Sequence, residues 1–192
     1  LPLMTHLDYP GPGRHEVIDH LRKGDVITHC FRPFPNAPVH GDRTIRADVH
    51  SARKRGVVFD IGHGLGSLGF ETANAMLEQG FRPDVISSDV HTLCVDGPAF
   101  DLLQCMSKFM ALGMPLADVI QTVTQRPAAT VGRSDLGSLA VGAVGDASIL
   151  EIRQGTFTHA DCVGETMQAR EGLVCHGIVT GGDWWPNDGS DA

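Results

Sequence analysis

At 192 residues and 42% hydrophobic content, the chain is long enough for one substantial globular core plus a small appendage. A net charge of −8 argues against nucleic acid or an anionic membrane surface as partner. Five cysteines without metal-ligand spacing fit free thiols in a reducing, cytoplasmic setting rather than a disulfide framework. No apolar run reaches transmembrane length, and the first residues lack the charged-then-apolar pattern of a secretory signal.

In chain order, Leu1 to His6 already reads as a strand without an initiator Met, so a preceding segment is expected and the chain reads as the C-terminal part of a larger protein. Asp8 to Gly13 is a loop, and Glu16 to Leu21 a short helix that places Val17, Ile18 and Leu21 on one face. Gly24 ends it, and Asp25 to His29 is the second strand. A long Pro-containing loop, 31–41, precedes an amphipathic helix at Ile45 to Arg55 closed by Gly56. Val57 to Ile61 is the third strand. It runs into Gly62-His63-Gly64-Leu65-Gly66-Ser67, which lacks the Lys-Ser/Thr ending of a phosphate loop; its glycines are better explained by close approach of backbone to a site. A helix capped by Ser67 and stopped by Gly80 leads to the fourth strand, Asp84 to Ser88. Helices are expected at 100–112, 116–124 and 127–131. From Gly137 the texture turns β-like, with strand candidates at 139–150, 157–162 and 173–180, and from Trp184 the chain reads as a disordered tail.

Strand–helix alternation with landmarks 23 to 31 residues apart is the rhythm of consecutive βα units. Right-handed crossovers then put every strand C-terminus on one edge, where barrel enzymes keep their chemistry. His6, His29, His63 and Asp89 end the four strands in turn. A lone strand-end histidine is more often a hydrogen-bonded structural residue, and Asp60 reads as a loop-holding carboxylate. The joint placement on one edge is what favours ligands for His6, His29 and Asp89. His63 and His91 are balanced between substrate contact and loop packing.

Several segments together resemble the amidohydrolase superfamily, in its dihydroorotase-like amidohydrolase/deacetylase branch. They are Pro2-Leu3-Met4-Thr5-His6, Gly24-Asp25-Val26-Ile27-Thr28-His29-Cys30-Phe31, Phe59-Asp60-Ile61-Gly62-His63-Gly64, Pro83-Asp84-Val85-Ile86-Ser87-Ser88-Asp89-Val90-His91, Met106-Ser107-Lys108-Phe109, Val123-Thr124-Gln125-Arg126-Pro127-Ala128 and Leu136-Gly137-Ser138-Leu139-Ala140-Val141-Gly142. The resemblance implies an α/β fold: the C-terminal half of a TIM-like (β/α)8 barrel, strands five to eight, plus part of a small β-sandwich. The expected divisions are a metal-dependent hydrolase half-barrel at 1–136, a β-sandwich appendage at 137–182 and a disordered tail at 183–192.

The resemblance further implies His6, His29 and Asp89 as ligands of a divalent metal, zinc by preference, with two ions in the complete family site. Asp89 would also be the catalytic proton shuttle, and His63 and His91 substrate-binding groups. The reaction implied is cleavage of an amide, cyclic amide or acyl ester of a small-molecule substrate by a metal-bound hydroxide. The family's His-x-His is absent, and Lys23, Lys54 and Lys108 all fall in helical or turn segments, so none matches its strand-four lysine. A missing N-terminal half or a second copy of the chain would have to complete the site. Two alternatives stay open: a truncated family member without turnover, and a small flavodoxin-like binding domain.

Overall fold

The computed structural model describes residues 2–7 and 11–187. Leu1, residues 8–10 of the first expected loop and residues 188–192 of the expected tail lie outside the described residues.

Three parallel strands form the first sheet in the order β1 (Met4–Thr5), β2 (Val26–Ile27), β3 (Val58–Phe59), with Met4 beside Val26 beside Val58. β2 is buried and β3 largely so, both continuously apolar rather than alternating, whereas Met4 of β1 is exposed. Ile27, Phe59 and Ile61 are wholly buried.

The fourth expected strand, Asp84 to Ser88, is a single parallel bridge, Asp60 to Val85. It still runs alongside β3, since Ile61, His63 and Gly64 donate their amides to the carbonyls of Val85, Ser87 and Ser88 at 3.1, 3.1 and 2.9 Å. A regular ladder does not develop because Gly62 and Gly64 both sit at φ +48°, turning the chain out of the pleat. Ile86 sends its amide instead to the carbonyl of Thr122.

The helices are α1 (Arg14–Ile18), α2 (Ala47–Arg55), α3 (Phe70–Glu78), α4 (Leu102–Ala111), α5 (Leu116–Val123) and α6 (Gln125–Thr130). Gly56 ends α2 at φ +85°, the left-handed stop its sequence position suggested. The expected cap on α3 is corrected: the N-cap position is Gly69, and Asp161, 91 residues further on, accepts the amide of Phe70 at 2.8 Å. Asp101 caps α4 through the amide of Gln104 at 2.7 Å. The core lies between sheet and helices, around Phe31, Phe59, Leu68, Met76 and Phe109. The Arg53 guanidinium stacks over Phe81 and Phe59 and pairs with Asp84 at 2.6 Å.

The second sheet is antiparallel, in the order β4 (Ala147–Ala160), β5 (Thr166–Thr180), β6 (Asp183–Pro186). The three expected short strands are two long ones, and Gly155 does not interrupt β4; it lies within an irregularity of the pairing between Gln154 and Phe157. The tail expected from 183 is corrected for its described part. Asp183–Pro186 pairs with β5, and the Trp184 ring occupies the space over Gly177, where a Cβ would come 2.3 Å from it. The hairpin docks on the first layer through Leu173, whose amide donates to Ser107 Oγ on α4 at 3.0 Å.

All five cysteines are free thiols. No helix among the described residues is long and apolar enough to cross a membrane.

Candidate active site at the strand edge

β2 ends in Thr28 and His29. His29 is almost fully buried and has φ +57°, a left-handed backbone that costs a non-glycine residue about 1 kcal/mol. That turn swings its ring along the edge toward β3, where Nδ1 lies 2.6 Å from the carbonyl oxygen of Gly62. A carbonyl only accepts, so Nδ1 carries the proton and Nε2 is the lone-pair nitrogen. Burial lowers the His29 pKa; the Gly62 bond works the other way, and His6 adds to the lowering.

Asp89 reaches the same place from the fourth strand. Its backbone is also left-handed, at φ +46°, and its Oδ2 stands 4.0 Å from His29 Nε2. That separation is too long for a hydrogen bond, and the carboxylate is half exposed. Glycines make the approach feasible. A Cβ on Gly64 would lie 2.6 Å from Asp89 Oδ2, and one on Gly62 would lie 2.3 Å from Thr28 Oγ1 and 2.7 Å from His29 Nδ1. A side chain at either position would force these neighbours to shift.

His6, from β1, packs its ring edge-on against His29 with centroids 4.3 Å apart. His29 therefore has His6 packed against it on one side and Asp89 facing it on the other. Among the described residues, however, no three His, Cys, Asp or Glu side chains form a group able to hold an ion by themselves. The donor types and the glycine cradles fit part of a divalent-cation shell, two imidazoles and a carboxylate.

Asp60 accepts from Thr28 Oγ1 at 2.5 Å and Ser87 Oγ at 3.0 Å, so it holds the loops as its sequence position suggested. Its Oδ1 is buried without a partner, and burial raises its pKa.

His63 and His91 part company. His91 sits on an exposed turn after Asp89, its Nδ1 accepting the Leu93 amide at 3.3 Å. His63 is wholly buried, with Nδ1 on the carbonyl of Gly64 at 3.0 Å and Nε2 facing Lys108 Nζ at 2.8 Å. Both nitrogens are engaged within the chain, which leaves none for a substrate. Burial first, and the Lys108 charge second, lower the His63 pKa to about 4.

Lys108, Thr28 and Ser87 are the contributors that sequence reasoning missed. Lys108 had a signal: it is the only cation in α4, set among Cys105, Met106 and Phe109. Thr28 and Ser87 had none beyond lying one residue before His29 and two before Asp89. A hollow of about 210 Å³ beside Leu77, Arg82 and Met114 lies at the C-terminal ends of α3 and α4, away from these groups.

The chain matches the amidohydrolase family over residues 5–179. It is 32% identical to a deacetylase of Enterococcus faecalis over 97% of its own length and 51% of the relative's. It is 33% identical to a deacetylase of Brucella anthropi over 86% of its length and 41% of that protein. Among solved structures it is similar to an adenine deaminase, with a TM-score of 0.93 and 32% identity. It is also similar to a dihydroorotase, with a TM-score of 0.81 and 28% identity. In both, 97% of this chain covers 51% of the neighbour. The chain thus spans about half the length of the relatives it matches, and its βα layer has the arrangement of the C-terminal half of a TIM-like barrel. That likeness displaces the flavodoxin-like alternative. By sequence and by strand arrangement, the chain belongs to the amidohydrolase family.

Proposed function

We propose that this chain carries the imidazole–carboxylate part of a metal-dependent hydrolase site that cleaves an amide, a cyclic amide or an acyl ester. The observation that carries the reading is the facing of His29 Nε2 and Asp89 Oδ2 at 4.0 Å, each on a left-handed backbone and backed by a glycine whose added Cβ would push it out of place. The names of the similar proteins, deacetylase, adenine deaminase and dihydroorotase, support the reaction class.

His6, His29 and Asp89 would hold the cation, and two imidazoles with a carboxylate suit zinc. When bound, such an ion supplies Lewis acidity toward a carbonyl oxygen and makes water acidic enough to attack near neutral pH. The chain's own work is positional and protonic. Gly62 fixes the His29 tautomer so that Nε2 is presented to the mouth of the edge. Asp89 accepts the proton of the attacking water at a carboxylate oxygen and returns it to the leaving nitrogen or oxygen. His91, on its exposed turn, meets the substrate, while His63 supports the loop from beneath.

The rest of the shell comes from outside these residues, from an N-terminal half or a second copy of the chain. One observation favours a second reading, a family member without turnover: no ready three-ligand group exists among the described residues.

The test is hydrolysis of acetyl esters, acetylated amines and cyclic amides by the zinc-loaded protein and its Asp89→Asn variant at equal metal content. Each is assayed with and without the N-terminal half of the Enterococcus faecalis deacetylase added in trans. The proposal expects turnover in the parent, falling about 1000-fold in the variant, since an amide cannot take the proton. Equal rates overturn the role of Asp89, and no hydrolysis in any arm supports the second reading.

A further inference from the structure

We propose that Lys108 is a positioning residue for the strand-edge site: it fixes the His63 ring and, through it, the Gly62–Gly64 turn on which His29 and Asp89 are both built. The inference rests on the reading of His29 and Asp89 as site groups, and its test is chosen to need neither metal nor turnover.

Lys108 lies mid-way along α4 and is 1% exposed, on the face that carries Cys105 and Phe109 into the core. An ammonium there loses its hydration and needs acceptors. It finds two, His63 Nε2 at 2.8 Å and the carbonyl of Pro98 at 2.5 Å. A methionine would fill the same space without that demand, so packing does not account for the lysine.

The consequence is a fixed tautomer. An ammonium only donates, so Nε2 of His63 is the acceptor and Nδ1 carries the proton to the carbonyl of Gly64. The amides of His63 and Gly64 meanwhile hold the carbonyls of Ser87 and Ser88, the two residues just before Asp89. The Gly64 Cα is the surface against which Asp89 Oδ2 lies, and the Gly62 carbonyl is the anchor of His29. Three successive residues thus take an instruction from α4 and pass it to both facing groups.

Other charges bear on the pair. Cys105, Asp161, Cys162 and Asp101 raise the Lys108 pKa, against a larger lowering by burial that leaves it at about 8. His63 feels Asp161 as well as Lys108, and His159, buried nearby on β4, is itself lowered by burial and by the Lys108 charge.

The test is nitrogen-15 NMR of the imidazoles and of the lysine side chain in the metal-free chain, for the parent and for Lys108→Met. In the parent we expect His63 as the Nδ1–H tautomer with its titration near pH 4, and a Lys108 ammonium protected from exchange and titrating near pH 8. In Lys108→Met the His63 midpoint rises by about a unit or more, the Nε2–H tautomer appears, and the His29 Nδ1 proton exchanges about tenfold faster as the Gly62 anchor loosens. A merely structural lysine would leave tautomer and midpoint where they were. His63 unchanged in the variant overturns the proposal, as does a changed His63 with an unaltered His29 proton. Should the variant fail to fold, the parent decides: an exposed, fast-exchanging Lys108 with an ordinary titration, or His63 as the Nε2–H tautomer, overturns it. Absence of zinc binding or hydrolysis would sink the functional reading without altering any of these signals.

Discussion

Strands β1, β2 and β3 are two residues long each, whereas β4 and β5 run for 14 and 15. The short strands nevertheless lead directly to His6, His29, Asp60 and His63. The long ones hold each other by an extended antiparallel ladder; they meet the first layer through Leu150, His159 and Leu173, and their connection through Asp161 and Cys162. In the parallel layer, backbone pairing is brief because the chain leaves it at left-handed turns, at His29, Gly62, Gly64 and Asp89. Those turns carry conformational cost that the buried core around them offsets. In the hairpin layer, regular pairing is cheap and side chains are mostly solvent-facing. The proposed site sits where the sheet is least regular.

The sharpest way to break that contrast is to put a side chain on the turn. Gly64→Ala adds a Cβ 2.6 Å from Asp89 Oδ2 at a position with φ +48°, so Asp89 must move away from His29. We expect about 2 kcal/mol of lost stability together with loss of zinc affinity, read by urea unfolding and by titration calorimetry. Gly113→Ala, also at positive φ but with nothing within 4 Å, should cost backbone strain alone and spare metal binding.

A slightly smaller effect is expected where the two layers meet. Asp161 accepts the amides of Phe70, Val163 and Glu165 at 2.8, 2.9 and 2.9 Å, and is buried. Asp161→Ala should destabilise by about 1–2 kcal/mol and speed hydrogen exchange at the Phe70 amide, fraying the start of α3. If Phe70 stayed as protected as before, the hairpin would not be bracing the first layer.

How much of this was legible follows from which contacts are local. The strand-end register of His6, His29 and Asp89 could be read because βα periodicity fixes the edge on which strand ends emerge. The left-handed stop at Gly56 was likewise local. The cap on α3 was misread as Ser67 because the true acceptor lies 91 residues away, and nothing near Phe70 in sequence points to Asp161. His63 was balanced between two roles because the deciding partner, Lys108, is 45 residues further on and on a helix. The Trp184 segment looked disordered because its pairing depends on a bare glycine, Gly177, on another strand.

The pH dependence sharpens the contrast more gently. His63 protonates near pH 4 in the fold against 6.5 ordinarily, so the unfolded chain binds the extra proton first as pH falls. Its contribution is full above 6.5 and is lost as pH drops toward 4. Lys108, lowered from 10.5 to about 8, adds stability as pH rises through that window, because there the unfolded chain still holds its proton. Urea midpoints at several pH values should rise across both windows, and His63→Gln should flatten the acid one. Smallest of all, Trp184→Ala on the hairpin should cost about 1 kcal/mol and leave the site untouched, measured by thermal unfolding and zinc titration.

The central claim is that His29 and Asp89 face each other in order to share a cation. Cobalt(II) titration of the parent, His29→Ala, Asp89→Ala and His91→Ala, each with the N-terminal half of the Enterococcus faecalis deacetylase added in trans and followed by visible absorption, tests it most directly, because the bands report the ligands themselves. The account predicts a saturable cobalt spectrum in the parent and in His91→Ala, and its loss or marked weakening in His29→Ala and Asp89→Ala. The same spectrum and affinity in all four proteins, or no cobalt-dependent absorption in the parent, would contradict it.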